Sequence, residues 1–294
     1  VPKIIRDESC HRTIQMTAAR VFPRVAFQGE RGAFSEEAAV KLLGEEIRLV
    51  PRPTFEALYL SIQEGLADII LAPIENSLAG SVHRSYDLLI ASGLHIQAEV
   101  VIPIVHNLIG VPGAKLDGIR QVSSHPVALA QCERFFASYP SIKRVAADDT
   151  AGSVRDVMQA GDPARAAIAS RRAAAVYGGT ILREHLEDHP ENYTRFLLLT
   201  PSAEVPEKAD KLSLVVHLAH KPGSLCLALN AFARRELNLL KIESRPIAGT
   251  PWSYCFYLDL QASLKDPNTV AALEELGQFT DSVKILGCYP QAKV

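Results

Sequence analysis

The chain's most suggestive polar residues come in short groups beside apolar runs. "NYTR" (192–195) leads into Phe196–Leu199, an unbroken apolar run long enough for a buried strand. Asn, Tyr, Thr and Arg in a row at that point read either as a polar loop or as donors at the edge of a cleft. Similar groups occur at "PIENS" (73–77), "SSH" (123–125) and "ADDT" (147–150). Any one of them serves equally well as a helix cap. Their common position, after strand-like runs, is what makes a shared cleft credible. The familiar catalytic patterns are absent. No GxSxG supports Ser-His-Asp hydrolysis. "GERGAF" (29–34) has neither GxGxxG nor GxxxxGK[ST] spacing, so no dinucleotide or nucleoside triphosphate site is indicated. Its glycines make a turn, or they admit a small anion close to backbone N–H groups. "HLEDH" (185–189) matches no zinc helix, and His83, His95, His106, His217 and His220 show no ligand spacing.

These groups sit on a regular alternation of elements. Strand-like "RVAFQG" (24–29) precedes helical "SEEAAVKLLG" (35–44), with Ser35 as the expected N-cap and Gly44 as the stop. "IRLVPR" (47–52) precedes "TFEALYLSIQEG" (54–65), and "DIILAP" (68–73) precedes a polar loop and "YDLLIASG" (86–93). The β-branched "EVVIPIVHNLIGV" (99–111) is long enough for two strands or a crossing between two sheets. Further strand–helix pairs start at 120, 143 and 165, with Pro126 and Thr150 opening helices. This βαβα rhythm predicts parallel or mixed sheets covered by helices, with ligands beyond the carboxyl ends of the strands. "PSAEVPEKAD" (201–210) reads as a linker. The order then changes to βαββαβ over 211–290, that of a small ferredoxin-like domain.

Bulk properties narrow the class. The 294 residues suggest about two domains, and 22% charged with 48% hydrophobic residues is ordinary for globular chains. Thirty-one Lys and Arg against 33 acids give no reason to expect a nucleic-acid surface. No apolar run approaches a membrane span. The five cysteines are spread out with no CxxC, which favours reduced thiols and a cytoplasmic setting over disulfides or a thiolate zinc site. Residues 1–23 lack the continuous apolar core of a secretory signal. They are expected to be a poorly ordered extension, with Met16 as a candidate natural start.

As a combination, "PIENSLAGSVHRSYDLL" (73–89), "SHPVALAQC" (124–132), "DDTAGS" (148–153) and "NYTRF" (192–196) resemble the prephenate dehydratases. The similarity extends to the arogenate dehydratases of plants, which makes a plastid location the alternative to the cytoplasm. "PGSL" (222–225) and "ESRP" (243–246) resemble the ACT regulatory domain that follows in that family. The resemblance runs from Arg24 to Pro290. It implies a catalytic domain over 24–201 with a fold like type II periplasmic binding proteins. Its lobes would be about 24–104 with 181–201, and 105–180. A linker over 202–210 and an ACT domain over 211–290 would follow. No helical mutase-like segment precedes Arg24, so a fused chorismate mutase is not expected.

The implied reaction expels the ring carboxylate of prephenate as CO2 and its C4 hydroxyl as water. Aromatisation drives it, so neither cofactor nor metal is expected. A cation gripping the departing carboxylate would stabilise the ground state, whereas only differential stabilisation accelerates the step. Neutral donors suit the task better. By resemblance, Thr194 is the residue acting on the C4 hydroxyl, as a positioned donor rather than a free acid. Arg195 and Phe196 accompany it. Arg195 either binds the pyruvyl carboxylate or pairs structurally. Asn76, Ser77, Ser124, His125, Gln131 and Thr150 are the implied substrate-binding residues. Gly223, Ser224, Leu225, Asn238, Glu243, Ser244 and Arg245 are the implied site for inhibitory L-phenylalanine, with Glu243 meeting its ammonium group. The family implies a homodimer or homotetramer. Two features depart from the usual pattern: Val127 stands where Gln is frequent, and "PGSL" replaces the commoner "PGAL". Arogenate as the substrate is one alternative. A non-catalytic amino-acid sensor is another, and the intact "TRF" argues against it.

Overall fold

The structure, a computed structural model, describes residues 22–293 apart from 220, 248 and 251. The expected extension thus lies outside the described residues up to position 21, as do Cys10, Met16 and His220.

The first lobe opens with β1 (Arg24–Gln28), α1 (Phe34–Leu43), β2 (Arg48–Arg52), α2 (Phe55–Gln63), β3 (Ile69–Asn76), the short β4 (Gly80–Ser81), α3 (His83–Ser92) and β5 (His95–Pro103). The Thr54 hydroxyl caps α2 by accepting from Ala57 N. Ser35, expected as the cap of α1, lies inside that helix and is buried, with Ala33 at the N-cap. Glu36 instead ties the helix to the loop before it. Its carboxylate reaches back to Gly32 N at 3.0 Å and pairs with Arg31 and Arg172.

The chain crosses at 104–106, inside the long β-branched stretch, and enters the second lobe as β6 (Asn107–Gly110). There follow β7 (Gln121–Ser124), α4 (Pro126–Ala130), α5 (Glu133–Ser138), β8 (Lys143–Ala146), α6 (Thr150–Ala160), β9 (Arg165–Ala169), α7 (Arg171–Tyr177) and β10 (Thr180–Arg183). β10 runs antiparallel to β6, pairing Ile181 with Ile109, in a sheet of order β10-β6-β9-β7-β8. The second lobe therefore keeps 180–183, and the return crossing follows Arg183 rather than starting at 181. The Gly178–Gly179 turn is what folds this strand back. The chain re-enters the first lobe as β11 (Tyr193–Thr200), which inserts antiparallel between β3 and β5 in the order β2-β1-β3-β11-β5. The expected two-lobed arrangement with two crossings is observed.

Residues 201–210 form no helix or strand. The C-terminal unit then runs β12 (Lys211–Leu218), α8 (Ser224–Ala233), β13 (Asn238–Pro246), β14 (Tyr254–Gln261), α9 (Pro267–Leu276) and β15 (Thr280–Tyr289). Its antiparallel sheet has the order β13-β14-β12-β15, the ferredoxin-like pattern read from the sequence. One face packs on α8 and α9 through Leu212, Leu214, Leu258 and Leu260. The other face shares a core with the first lobe: Val215, Tyr257 and Leu286 join Ile96, Leu197 and Leu199. Tyr86 and Tyr257 meet edge to face across that contact at 4.4 Å. The approach is close enough that a Cβ on Gly287 would strike Ile96 O. No helix among the described residues is long and apolar enough to cross a membrane.

Candidate active site

A cleft of about 450 Å3 lies between the two lobes. The first lobe contributes Gln28, Phe34, Ser35, Asn76, Thr194 and Phe196; the second contributes His125, Gln131, Asp148, Asp149 and Thr150. Ile104 and His106, on the crossing segment, close its floor. α1 and α6 both direct their N-termini here, since Phe34, Ser35 and Thr150 all line the cleft. Asp149 occupies the end of α6 itself by accepting from Gly152 N at 2.7 Å. Its burial raises its pKa above the ordinary carboxylate range. Among the described residues, no Lys or Arg lines the cleft.

Thr194 owes its place to β11, which is paired on both edges and holds the residue nearly buried opposite Asn76 and Ile102. Asn76 Nδ2 lies 3.0 Å from Thr194 Oγ1, 2.8 Å from Asn192 Oδ1 and 3.0 Å from Tyr193 O. Asn76 Oδ1 accepts from Leu78 N and Ala79 N. The Thr194 oxygen is thus an acceptor from within the protein, and its proton is left to be donated into the cleft. Asn192 Nδ2 donates to Gln131 Oε1 at 2.9 Å, which also stands 2.9 Å from His106 Nε2. Burial lowers the pKa of His106, keeping the ring neutral, against smaller opposing effects from Gln131 and Glu187.

The residues expected at a substrate site divide. Asn76, His125, Gln131, Thr150, Thr194 and Phe196 come together in the cleft. His125 also accepts from Val127 N as the cap of α4. Ser124 and Ser77 do not line it. The Ser124 hydroxyl is fully buried and donates to Ile168 O at 2.6 Å, tying β7 to β9. The Ser77 hydroxyl donates to Glu191 O and accepts from Tyr193 N, so it fixes the approach to β11. Both serve the strands behind the cleft.

Arg195 points away from the cleft. Side chains alternate along a strand, so β11 presents Thr194 and Arg195 to opposite sides. The guanidinium donates to Glu99 at 2.6 Å, to Asp259 at 2.7 Å and to the Tyr289 hydroxyl at 3.1 Å. Burial works against its charge, but Asp259, Tyr289 and Glu99 outweigh that and hold its pKa well above the ordinary value. Lys211 joins through Glu99, and Ser213 donates to Asp259. Of the two roles the sequence left open for Arg195, these bonds carry structural pairing.

The residues expected to bind phenylalanine also separate. Gly223, Ser224 and Leu225 line an open recess at the start of α8 with Lys221, Asn230 and others. Gly223 sits at the N-cap with φ of 85°, a conformation that suits glycine. Asn238 begins β13 and is exposed. Glu243 and Arg245 face the first lobe instead: Glu243 accepts from Ser81 at 2.8 Å and meets His83 at 3.1 Å, while Arg245 grips Asp87. Ser244, between them, lies on the opposite side of the strand.

Two contributors, His106 and Ser35, escaped the sequence reading, and Asn192 was read only as one of the polar group 192–195. Their signals were present. "HN" (106–107) interrupts the apolar run 99–111, and Asn192 opens "NYTR". A polar side chain inside a run destined for burial needs a partner there.

The chain matches the family profile described as "Prephenate dehydratase" over residues 25–204. It is 42% identical to "Arogenate dehydratase/prephenate dehydratase 1, chloroplastic" of Arabidopsis thaliana, over 91% of this chain and 72% of that protein. A structure of prephenate dehydratase in complex with L-Phe from Arthrobacter aurescens is 33% identical, with a TM-score of 0.84 over 91% of this chain and 90% of that one. A structure described as "GqqA- a novel type of quorum quenching acylases" is 32% identical, also with a TM-score of 0.84, over 91% and 97%.

Proposed function

Because the chain belongs to the prephenate dehydratase family of hydro-lyases in phenylalanine biosynthesis, we propose that it converts prephenate to phenylpyruvate, CO2 and water. We assign this chemistry to residues 24–201 and its regulation to 211–290. The observation that carries the reading is a cleft that brings hydroxyl and amide donors together with Thr194 and, among the described residues, no Lys or Arg. In the step itself the bond between C1 and the ring carboxylate breaks, and its electron pair enters the ring as the C4–O bond breaks. The departing hydroxyl takes a proton and leaves as water. Thr194 donates a hydrogen bond to that hydroxyl as its charge grows, while Asn76 holds the Thr194 oxygen in place. A threonine is too weak an acid to give up its proton unaided, so water completes the transfer. Gln131 and Thr150 bind the substrate's carboxylates as neutral donors, which avoids over-stabilising the group that is to lose its charge.

Arogenate is a second reading, favoured by the double name of the 42% identical relative. Incubation with each substrate decides: phenylpyruvate from prephenate supports the first reading, and phenylalanine from arogenate supports the second. Turnover of neither overturns both and favours an amino-acid sensor.

L-Phenylalanine acts as feedback inhibitor in this reading, binding at the α8 recess, where backbone N–H groups of the helix N-terminus meet its carboxylate. The L-Phe complex of the 33% identical relative supports it. Titrating phenylalanine against activity tests this: no inhibition, together with no binding by calorimetry, removes the claim. The homodimer or homotetramer implied by the family is checked by light scattering.

A further inference from the structure

Two backbone N–H groups determine the orientation of three side-chain amides at the cleft, those of Asn76, Asn192 and Gln131. Leu78 N and Ala79 N can only donate, and they meet Asn76 Oδ1 at 3.0 and 2.8 Å. Tyr193 O can only accept, and it meets Asn76 Nδ2 at 3.0 Å. The Asn76 amide is therefore fixed from both ends. Asn192 has to turn Oδ1 to Asn76, which leaves its Nδ2 for Gln131. Gln131 has to answer with Oε1, and the same oxygen faces His106 Nε2, which has to carry a proton. Polarity thus passes from the main chain of the turn after β3 through four side chains, from one lobe to the other.

Two features agree with this direction. His106 Nδ1 is buried without a hydrogen-bond partner among the described residues, as a bare lone pair would be. The opposite tautomer would bury an unsatisfied N–H and set two lone pairs against each other. At Gln131, Oε1 receives both internal donors, which leaves Nε2 for the cleft that Gln131 lines.

We propose that Asn192 and His106 are positioning residues that hold Gln131 as a hydrogen-bond donor toward a carboxylate of the substrate. The identity of that carboxylate rests on the dehydratase reading; the polarity of the relay does not. A flipped Gln131 amide would present its oxygen to the anion and turn an attraction into a repulsion. His106 and Asn192 prevent that flip because each supplies a donor that only Oε1 can accept.

The test has two arms. Nitrogen-15 NMR of histidine-labelled protein at pH 7 reads the tautomer without any substrate, with the His106 signal identified by its loss in His106→Gln. A ring protonated at Nε2 is expected; a neutral ring protonated at Nδ1 alone overturns the relay. Kinetics then use whichever of prephenate and arogenate the wild type turns over. His106→Leu is expected to raise KM about tenfold with kcat held within about threefold, the scale of one lost buried hydrogen bond. His106→Gln, whose amide nitrogen restores the donor, returns KM to within about threefold of wild type. On a Gln131→Leu background, His106→Leu adds less than about twofold, because its effect runs through Gln131. A loss in kcat alone, no rescue by His106→Gln, or the full effect without Gln131 overturns the proposal. Melting curves establish that each variant is folded. Should His106→Leu fail to fold, Asn192→Asp puts an acceptor against Gln131 and must raise KM at least as far; an unchanged KM overturns the proposal. A wild type inert to both substrates defeats the dehydratase reading, and the tautomer still decides the relay.

Discussion

Thr194 is a weak acid in a useful setting. Its oxygen is occupied by Asn76 and its backbone is pinned between two strands, so the free direction of its O–H is toward the cleft. Thr194→Ala is therefore expected to leave a folded protein with turnover lowered at least ~100-fold, the lower scale of general acid catalysis. Thr194→Ser should keep most of it. Near-normal turnover by the alanine variant at saturating substrate would refute the role. His106 supports a prediction of a different kind. Burial holds its pKa below the ordinary value, while the Glu187 carboxylate and the Gln131 amide pull the other way and the Phe34 ring packs edge-on. The unfolded chain binds this proton more readily. The His106 contribution to stability is thus complete above about pH 6.5 and is lost as pH falls toward the depressed folded value. Urea midpoints at pH 7.5 and 5.5 check this: His106→Gln should lose less stability between the two than the wild type does.

β11 is the element that makes site and support from one stretch of chain. Its apolar half, Phe196–Leu199, was legible as a buried strand because four apolar residues in a row leave little else. Asn76 and Thr194 stood out at the ends of such runs, and their site roles, like that of Gln131, were implied by the resemblance of "PIENS", "SHPVALAQC" and "NYTRF" to the family. The directions that Ser124 and Arg195 face were not legible, and the reason is the same for both. Sequence shows that a residue sits at a strand end, but the side it faces depends on register and on what packs behind. Ser124 turns to a neighbouring strand's carbonyl, and Arg195 turns to another unit about sixty residues further on. Ser35 shows a third limit: the helix begins at Phe34, so Ala33 at the end of the preceding loop takes the N-cap. That loop carries its own prediction. Gly32 has φ of 83°, and an added Cβ would lie 2.7 Å from Ala173 Cα in the other lobe. The left-handed backbone alone costs a non-glycine residue about 1–2 kcal/mol, and the Ala173 main chain cannot move aside cheaply. Gly32→Ala should lower stability by at least that much in urea titrations. It should also raise KM, because it wedges the lobes where Ser170 bonds Gly32 O at 2.7 Å.

At the scale of the whole molecule, the C-terminal unit reaches the cleft through its far side. Arg195 is covalently next to Thr194, yet its charge is balanced partly by Asp259 on β14, within a buried group that includes Glu99, Lys211, Ser213 and Tyr289. A second set of bonds joins β13 to the cleft rim: Lys241 to Glu75, beside Asn76, and Glu243 to Ser81, which itself lines the cleft. Any shift of this sheet on the first lobe therefore acts on the strands that carry Thr194 and Asn76. The α8 recess lies on the helical side of the same sheet, and Asp259 is not among its lining residues. Asp259→Asn separates the two functions. It leaves a buried guanidinium with one fewer counter-charge, and breaking such a pair costs roughly 3–5 kcal/mol. The variant should unfold at lower urea and, with phenylalanine bound at the recess as proposed, keep that binding. If the Arg195 group carries the coupling, phenylalanine will bind it with an affinity close to wild type yet inhibit less completely. By linkage, the ratio of its affinities with and without substrate will move toward one. Calorimetry in the presence and absence of substrate, beside an inhibition curve, measures both quantities. An Asp259→Asn protein that binds and is inhibited as fully as the wild type would place the coupling elsewhere, with the β13 contacts to Glu75 and Ser81 next to be cut.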